Sequence, residues 1–358
     1  MNFTLFGYPK AGKTTLFNIL TGARVAMTAY EDGRREPNER MCPLPDARLN
    51  GLGGLYPEKK KTAATIDFID LAGISYGEVK NSVFLNALRK ADGLIHVVRG
   101  FHDSQVPHAK PAVSPRDDIR TMEEELLLAD QISVEARLER LEKDLKKAKL
   151  PEGEKERDLL VRLRAHLEGG RPLREFGWTE ADEKLVKAFA FLSQKPILHM
   201  INADEGDVGR LHELEREHAP AGRGAAVLAF CGRIEEEILE VESDEDKRVF
   251  LAEYGLSEPT AGRFFPAALV LMETIFFYTV GKDEVRAWPI RIHSSALKAA
   301  GAIHTDIEKG FIRAEVIPYD VLLPLGSLNA AKDKGAIRLE GKEYIVRDGD
   351  VIYFRFAP

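Results

Sequence analysis

Phe3-Thr4-Leu5-Phe6-Gly7-Tyr8-Pro9-Lys10-Ala11-Gly12-Lys13-Thr14, almost at the start of a 358-residue chain, is the stretch on which the fold turns. Its first four residues form a short β-rich run that Gly7 stops. From Lys13 onward the apolar residues fall at helical spacing, with Leu16, Phe17, Ile19 and Leu20 before Gly22. The order is strand, glycine loop, helix, and Gly7 to Thr14 satisfies the phosphate-loop pattern within it. Glycines permit backbone conformations that aim successive N–H groups at phosphate oxygens, and the helix N-terminus adds the positive end of its dipole. Lys13 is the catalytic candidate, a cation set against the β- and γ-phosphates, and the Thr14 hydroxyl is a candidate Mg²⁺ ligand. Together with Lys10, Ala11, Gly12 and Thr15 they form the candidate nucleotide-binding set at this end of the chain.

Outward from this loop, residues 26–44 are polar and rich in Arg, Glu and Pro, and are expected to form a mobile loop. Two apolar runs follow, 65–70 and 93–98, each with the texture of a buried parallel strand, with a helix over 82–90 between them. Asp70 ends the first run and opens Asp70-Leu71-Ala72-Gly73. A carboxylate there is placed to hold Mg²⁺ through water, and Gly73 to offer its N–H to a γ-phosphate. Strand character returns at 196–201 and 225–230, which makes a doubly wound α/β sheet. The fourth of these strands leads into Asn202-Ala203-Asp204-Glu205, where such sheets carry a base-reading loop. Guanine needs a carboxylate to accept from N1–H and N2–H; Glu205 holds that place, and Ala203 stands where a flanking lysine would lie. Weakened guanine selectivity is the expectation, with a simple helix-capping loop as the alternative. Cys231, just past the last strand, is expected to supply backbone groups to the purine.

Between these strands, residues 116–169 change texture to charged sequence with leucines at helical spacing (Leu126, Leu127, Leu138, Leu141, Leu145). They predict an antiparallel helical pair, with Pro151 and Gly153 marking the turn, either a solvated coiled coil or a partner surface. A Phe- and Leu-rich helix is expected over 264–277. The tail is β-rich at 285–293, 310–317 and 343–356, with a short helix at 296–300, a small α+β domain of about 80 residues.

The net charge of −7 excludes a chain-wide basic field for nonspecific nucleic-acid binding. Residues 281–358 carry 12 Lys/Arg against 11 Asp/Glu, a net +1, which is too little for an electrostatic footprint. Cys42 and Cys231, far apart, read as reduced thiols of a cytoplasmic protein. Met1 runs directly into the first strand, so no targeting segment is expected. The most apolar window, 264–280, is interrupted by Pro266 and Glu273, so no membrane span is expected either.

Taken together these pieces resemble the YchF subfamily of Obg-related proteins, the Obg-like ATPases. The likeness is most specific in Val285-Arg286-Ala287-Trp288, in Ala299-Ala300-Gly301-Ala302-Ile303-His304-Thr305-Asp306-Ile307-Glu308-Lys309-Gly310-Phe311-Ile312-Arg313-Ala314-Glu315-Val316, and in 341–356. It implies a P-loop NTPase G domain (1–115 with 191–272), an inserted helical hairpin (116–190) and a C-terminal TGS domain of β-grasp fold (273–358). It also implies ATP in preference to GTP, slow hydrolysis, and ribosomes or ribosomal RNA as partners. A GTPase of the same fold, or a nucleotide-gated binding module with little hydrolysis, are the alternatives. Ile74 matches the family's apolar residue after the switch glycine, and His108 falls where the family carries a candidate water-orienting histidine. Three departures stand out. Lys10 replaces an Asn that in related proteins helps bind K⁺, so its ammonium either substitutes for the cation or removes cation-stimulated turnover. Arg34 stands where the family has a Thr before Glu36-Pro37-Asn38. The second switch, 74–83, is about four residues shorter than the family's.

Overall fold

The computed structural model describes residues 1–25, 37–71, 82–107, 112–147 and 151–357. The chain begins β1 (Asn2–Phe6), α1 (Lys13–Thr21), β2 (Asn38–Pro43), α2 (Ala47–Leu55), β3 (Lys60–Thr62), β4 (Thr65–Asp70), α3 (Ser82–Lys90) and β5 (Gly93–Arg99). Two long helices, α4 (Pro115–Leu145) and α5 (Pro151–Glu168), precede β6 (Ile197–Asn202) and β7 (Ala225–Phe230). After helices Gly232–Glu240, Asp244–Glu253 and Thr260–Leu271 come β8 (Thr274–Val280), β9 (Glu284–Arg291), β10 (Phe311–Pro318), β11 (Arg338–Glu340) and β12 (Asp350–Phe356). These elements gather into two compact units, Met1–Met41 with Asp67–Leu271, and Cys42–Ile66 with Met272–Pro358.

In the first unit the sheet order is β2-β4-β1-β5-β6-β7, with β1 parallel to β4 and β5, and β6 parallel to β5 and β7. Every residue of β5 is buried, as a strand covered on both faces must be. Phe3, Phe68 and Phe264 pack ring against ring on one face, with centroids 5.7–6.4 Å apart. All three are fully buried, so truncating any one to alanine should cost about 3–5 kcal/mol. The opposite face joins Phe6, Leu88 and Leu94 to Met122 and Leu126 of α4.

Helix α4 begins at a Ser114 cap followed by Pro115, and its buried positions (Met122, Leu126, Ala129, Val134, Leu138, Leu141) recur three to five residues apart along one stripe. That stripe meets Leu159, Leu160, Leu163 and Leu167 of α5. Arg137 clamps Glu156 across the pair with bonds of 2.7 and 2.8 Å. Asp130 anchors α4 to the sheet, accepting from the Leu192 and Ser193 N–H groups and the Ser193 hydroxyl.

The second unit is a mixed sheet of order β11-β10-β12-β8-β9-β3. Helix Ala296–Ile303 lays Ala296, Ala299 and Ala300 onto Phe277, Val316, Ile352 and Phe354. A helix crossing such a sheet is the expected β-grasp arrangement.

Five expectations change. Residues 38–43, expected as loop, form strand β2 at the edge of the first sheet. Pro151 and Gly153 do not mark a turn but open α5, where proline's missing N–H costs nothing. The helix expected over 264–277 stops at Leu271; Glu273 has φ +49°, and Thr274-Ile275-Phe276-Phe277 begins β8, as β-branched and aromatic residues favour. In the last β-rich run only Asp350–Phe356 is strand. The segment 42–66, drawn from sequence into the first domain, lies in the second unit, where Tyr278 donates its hydroxyl proton to Asp46 at 2.9 Å.

Candidate functional site

Parallel pairing sets the ends of five strands at one edge: Leu5 lies opposite Asp70, Phe6 opposite His96, Arg99 opposite Asn202, and Asn202 opposite Phe230. The crevice beyond the carboxyl ends of such strands is where α/β sheets bind ligands. The loop between β1 and α1 fills its centre. Gly7 has φ +143°, and a Cβ there would overlap the Val97 carbonyl oxygen; Gly12 has φ +101°. Lys10 adopts φ +60°, a left-handed backbone that a lysine pays for and an asparagine tolerates better. The Lys13 ammonium, almost fully buried, donates to the Tyr8 carbonyl at 3.0 Å and so folds back over the loop that precedes it.

The two metal-ligand candidates meet. Thr14 Oγ1 donates to Asp70 Oδ2 at 2.9 Å, and the Asn38 amide donates to the same oxygen at 3.1 Å. A hydroxyl and a carboxylate side by side are hard oxygen donors of the kind Mg²⁺ takes, so the residues present fit that ion. Beyond its place in Glu36-Pro37-Asn38, Asn38 carries no sequence signal for this contact. Gly73 and His108 lie outside the described residues, as do Arg34 and Ile74.

The sequence pairs Asn202 with Glu205 as expected base-holding residues, and the structure places the Asn202 side chain between two loops. Its amide is spent on backbone: Nδ2 donates to the Ala11 carbonyl at 3.2 Å, and Oδ1 accepts the Gly232 N–H at 2.9 Å. The side chain lies between two glycines, since a Cβ on Gly12 would overlap Asn202 Nδ2 and one on Gly232 would come within 3.0 Å of Asn202 Oδ1. Asn202 therefore ties the phosphate loop to the start of helix Gly232–Glu240. Thr15 joins the same helix through a hydrogen bond with Glu236, a carboxyl that burial nonetheless pushes upward.

In the neighbouring loop Asp204 accepts the His102 N–H at 2.9 Å. Glu205, half exposed, pairs with Arg233 at 2.8 Å. The buried Cys231 thiol is pushed up, first by burial and further by the charges of Glu205 and Asp204. Arg99 closes the arrangement on the other side. Its buried guanidinium donates to the carbonyls of Phe101 (3.1 Å), Asp103 (3.2 Å), Val106 (2.9 Å) and Pro107 (3.3 Å), folding the loop after β5 around one cation. Neither Arg99 nor Arg233 carries a sequence signal beyond its place at a strand or helix end.

Beneath the loop runs a buried polar chain. His96 and His199 approach through their Nδ1 atoms at 3.0 Å, His199 Nε2 lies 3.2 Å from Glu123, and Arg174 donates to the same carboxylate oxygen at 2.7 Å. Burial works against the Glu123 carboxylate, but the His199 bond and the Arg174 charge outweigh it and hold the group at about 2.

Comparison with known proteins agrees with this architecture along the whole chain. The family model described as 50S ribosome-binding GTPase matches residues 2–147, and YchF-GTPase_C, described as a protein of unknown function, matches 274–357. The chain is 40% identical to the "Ribosome-binding ATPase YchF" of Bacillus subtilis (strain 168), covering 98% of each. It is 34% identical to the "Obg-like ATPase 1" of Oryza sativa subsp. japonica, covering 98% of this chain and 91% of that one. The solved Schizosaccharomyces pombe YchF GTPase superposes with a TM-score of 0.81 at 26% identity, covering 99% and 97% of the two chains. With a phosphate loop, a carboxylate at the end of the adjacent strand and a β-grasp unit all in this order, the chain belongs to the YchF family.

Proposed function

We propose that this protein is a nucleotide-operated switch that binds ATP in preference to GTP, hydrolyses it slowly with Mg²⁺, and acts on ribosomes in the cytoplasm. The observation that carries the reading is the 2.9 Å contact of Thr14 with Asp70 at the foot of the phosphate loop, in a chain whose full-length relatives are named ribosome-binding ATPases. The domains would be a G domain (1–115 with 191–272), a helical insert (116–190) and a β-grasp domain (273–358), with 42–66 packing in the unit of the last.

In this reading the loop amides, the α1 N-terminus and Lys13 bind the triphosphate, and Ala11, Gly12, Thr14 and Thr15 line it. Thr14 and Asp70 would hold Mg²⁺, which when bound neutralises charge on the phosphate oxygens. Glu205 and the backbone around Cys231 face the purine, while Asn202 keeps the two loops in register. Gly73 would donate to the γ-phosphate, and His108 would orient water in place of the apolar Ile74. Catalysis then amounts to positioning and charge stabilisation. Lys10 would supply the positive charge that K⁺ brings to related proteins; clear stimulation of turnover by K⁺ over Na⁺ would refute this.

Arg34, in place of a hydroxyl, favours a second reading in which nucleotide is bound and hardly hydrolysed. Titration with ATP and GTP, followed by phosphate release with purified ribosomes, separates the readings. Tighter ATP and ribosome-raised turnover, both lost in Lys13→Ala, is the expected result. Stoichiometric binding without release supports the gated module, tighter GTP overturns the purine preference, and no purine nucleotide binding overturns both readings.

A further inference from the structure

The loops that follow β6 and β7 leave the sheet side by side. Asn202 is paired with Phe230, and the Ala203 N–H reaches the Phe230 carbonyl at 2.7 Å. Three carboxylates stand between β6 and the helix at Leu211: Asp204 is committed to the His102 N–H, and Asp207 lies 3.6 Å from Arg210. Glu205 is the one left to face a base. Its Oε1 lies 2.8 Å from Arg233 Nη1, on the second residue of the helix that starts in the other loop. The position where a lysine would flank the base is Ala203, buried and uncharged.

We propose that Arg233 is a purine-discriminating residue, which disfavours guanine by occupying the Glu205 carboxylate. The proposal rests on Glu205 being the base-facing carboxylate. Guanine presents N1–H and N2–H side by side, a donor pair that needs both carboxylate oxygens. Adenine presents one donor, its N6 amino group, beside the N1 acceptor, so a single carboxylate oxygen serves it. A guanidinium on Oε1 is therefore a competitor for guanine alone. Both side chains are substantially exposed, so the competition is bounded by the worth of a surface ion pair, about 1 kcal/mol at most, or roughly fivefold in relative affinity. Because adenine and guanine nucleotides carry the same phosphates, any long-range effect of the Arg233 charge on the phosphates cancels in the ratio of the two affinities.

The test is calorimetric titration of the full chain with Mg²⁺ and ADP or GDP, in wild type, Arg233→Ala, Glu205→Gln and the double variant. Diphosphates avoid turnover during the titration. The expected result is a GDP-to-ADP affinity ratio raised about two- to fivefold by Arg233→Ala, and no such rise when the substitution is made in the Glu205→Gln background. A ratio that stays within twofold in Arg233→Ala, or rises equally without Glu205, overturns the role of Arg233. Should Glu205→Gln leave both affinities unchanged, the base-facing reading of Glu205 fails and the proposal falls with it. Should Glu205→Gln shift the ratio while Arg233→Ala does not, that reading stands and only the competitor is lost.

Discussion

Replacing Asn202 by alanine removes one amide that serves two backbone groups at once. The Ala11 carbonyl loses its 3.2 Å donor and the Gly232 N–H its 2.9 Å acceptor, in a position only 7% exposed. A buried polar group left unpaired costs roughly 1–3 kcal/mol, and the longer bond is the weaker, so the expected loss is about 2–4 kcal/mol. Urea unfolding without nucleotide reads this as a lower midpoint at unchanged slope. Asn202→Asp should do no better than Asn202→Ala. Its carboxylate still accepts from Gly232 but has no proton for Ala11 and sets negative charge against that carbonyl. Nucleotide titration supplies the second readout. A tie that only shapes the loops weakens ADP and GDP alike, whereas an amide that reads the base weakens one purine. A stability loss below about 1 kcal/mol, or an affinity loss confined to one nucleotide, would refute the assignment.

Thr14→Val keeps the shape of the side chain and removes the hydroxyl that meets Asp70 at 2.9 Å; the gain in nucleotide affinity on adding Mg²⁺ should fall by about tenfold, ~1.4 kcal/mol, and an undiminished Mg²⁺ effect in fluorescence titration would count against the ligand role. Lys10→Gly should stabilise the nucleotide-free chain by about 1 kcal/mol in a urea melt, because φ +60° carries no Cβ penalty in glycine. Asp130, on α4 and buried against Leu192 and Ser193, is pushed up to about 6 from its ordinary 3.8 by burial. The folded state thus binds a proton between about pH 4 and 6 that the unfolded chain does not, so this group's contribution to stability falls as pH rises through that window and is lowest above 6. Glu123 acts in the opposite sense: held at about 2 against its ordinary 4.5, it loses stabilisation as pH falls below about 4.5. Unfolding free energies at pH 7, 5 and 3.5 should therefore drop more steeply at the acid end in wild type than in Glu123→Gln, and the rise from pH 7 to 5 should be absent in Asp130→Asn.

What the sequence made legible was local. The glycine loop announces itself because strand, loop and helix are each encoded within a few residues, and Asp70 because a carboxylate ends an apolar run. Residues whose meaning depends on how the backbone folds around them carry no such signal. Arg99 is one basic residue at a strand end until the carbonyls of 101–107 fold around it. Asn202 was found, but its partners, Ala11 and Gly232, lie 191 and 30 residues away, so its work between two glycines was not readable. The Phe-rich stretch after Leu271 fits both helix and strand by apolar content alone, and only pairing with β9 settles it as β8.

The loop after β5 has a further consequence. Four of its carbonyls face one guanidinium, while His102 and Asp103 remain exposed on its outer side. A protease needs its substrate drawn out as an extended ribbon with those carbonyls turned to the enzyme. This segment cannot be drawn out without stripping Arg99 of its acceptors inside the protein, so it should survive digestion intact, a surface loop with the endurance of an interior one.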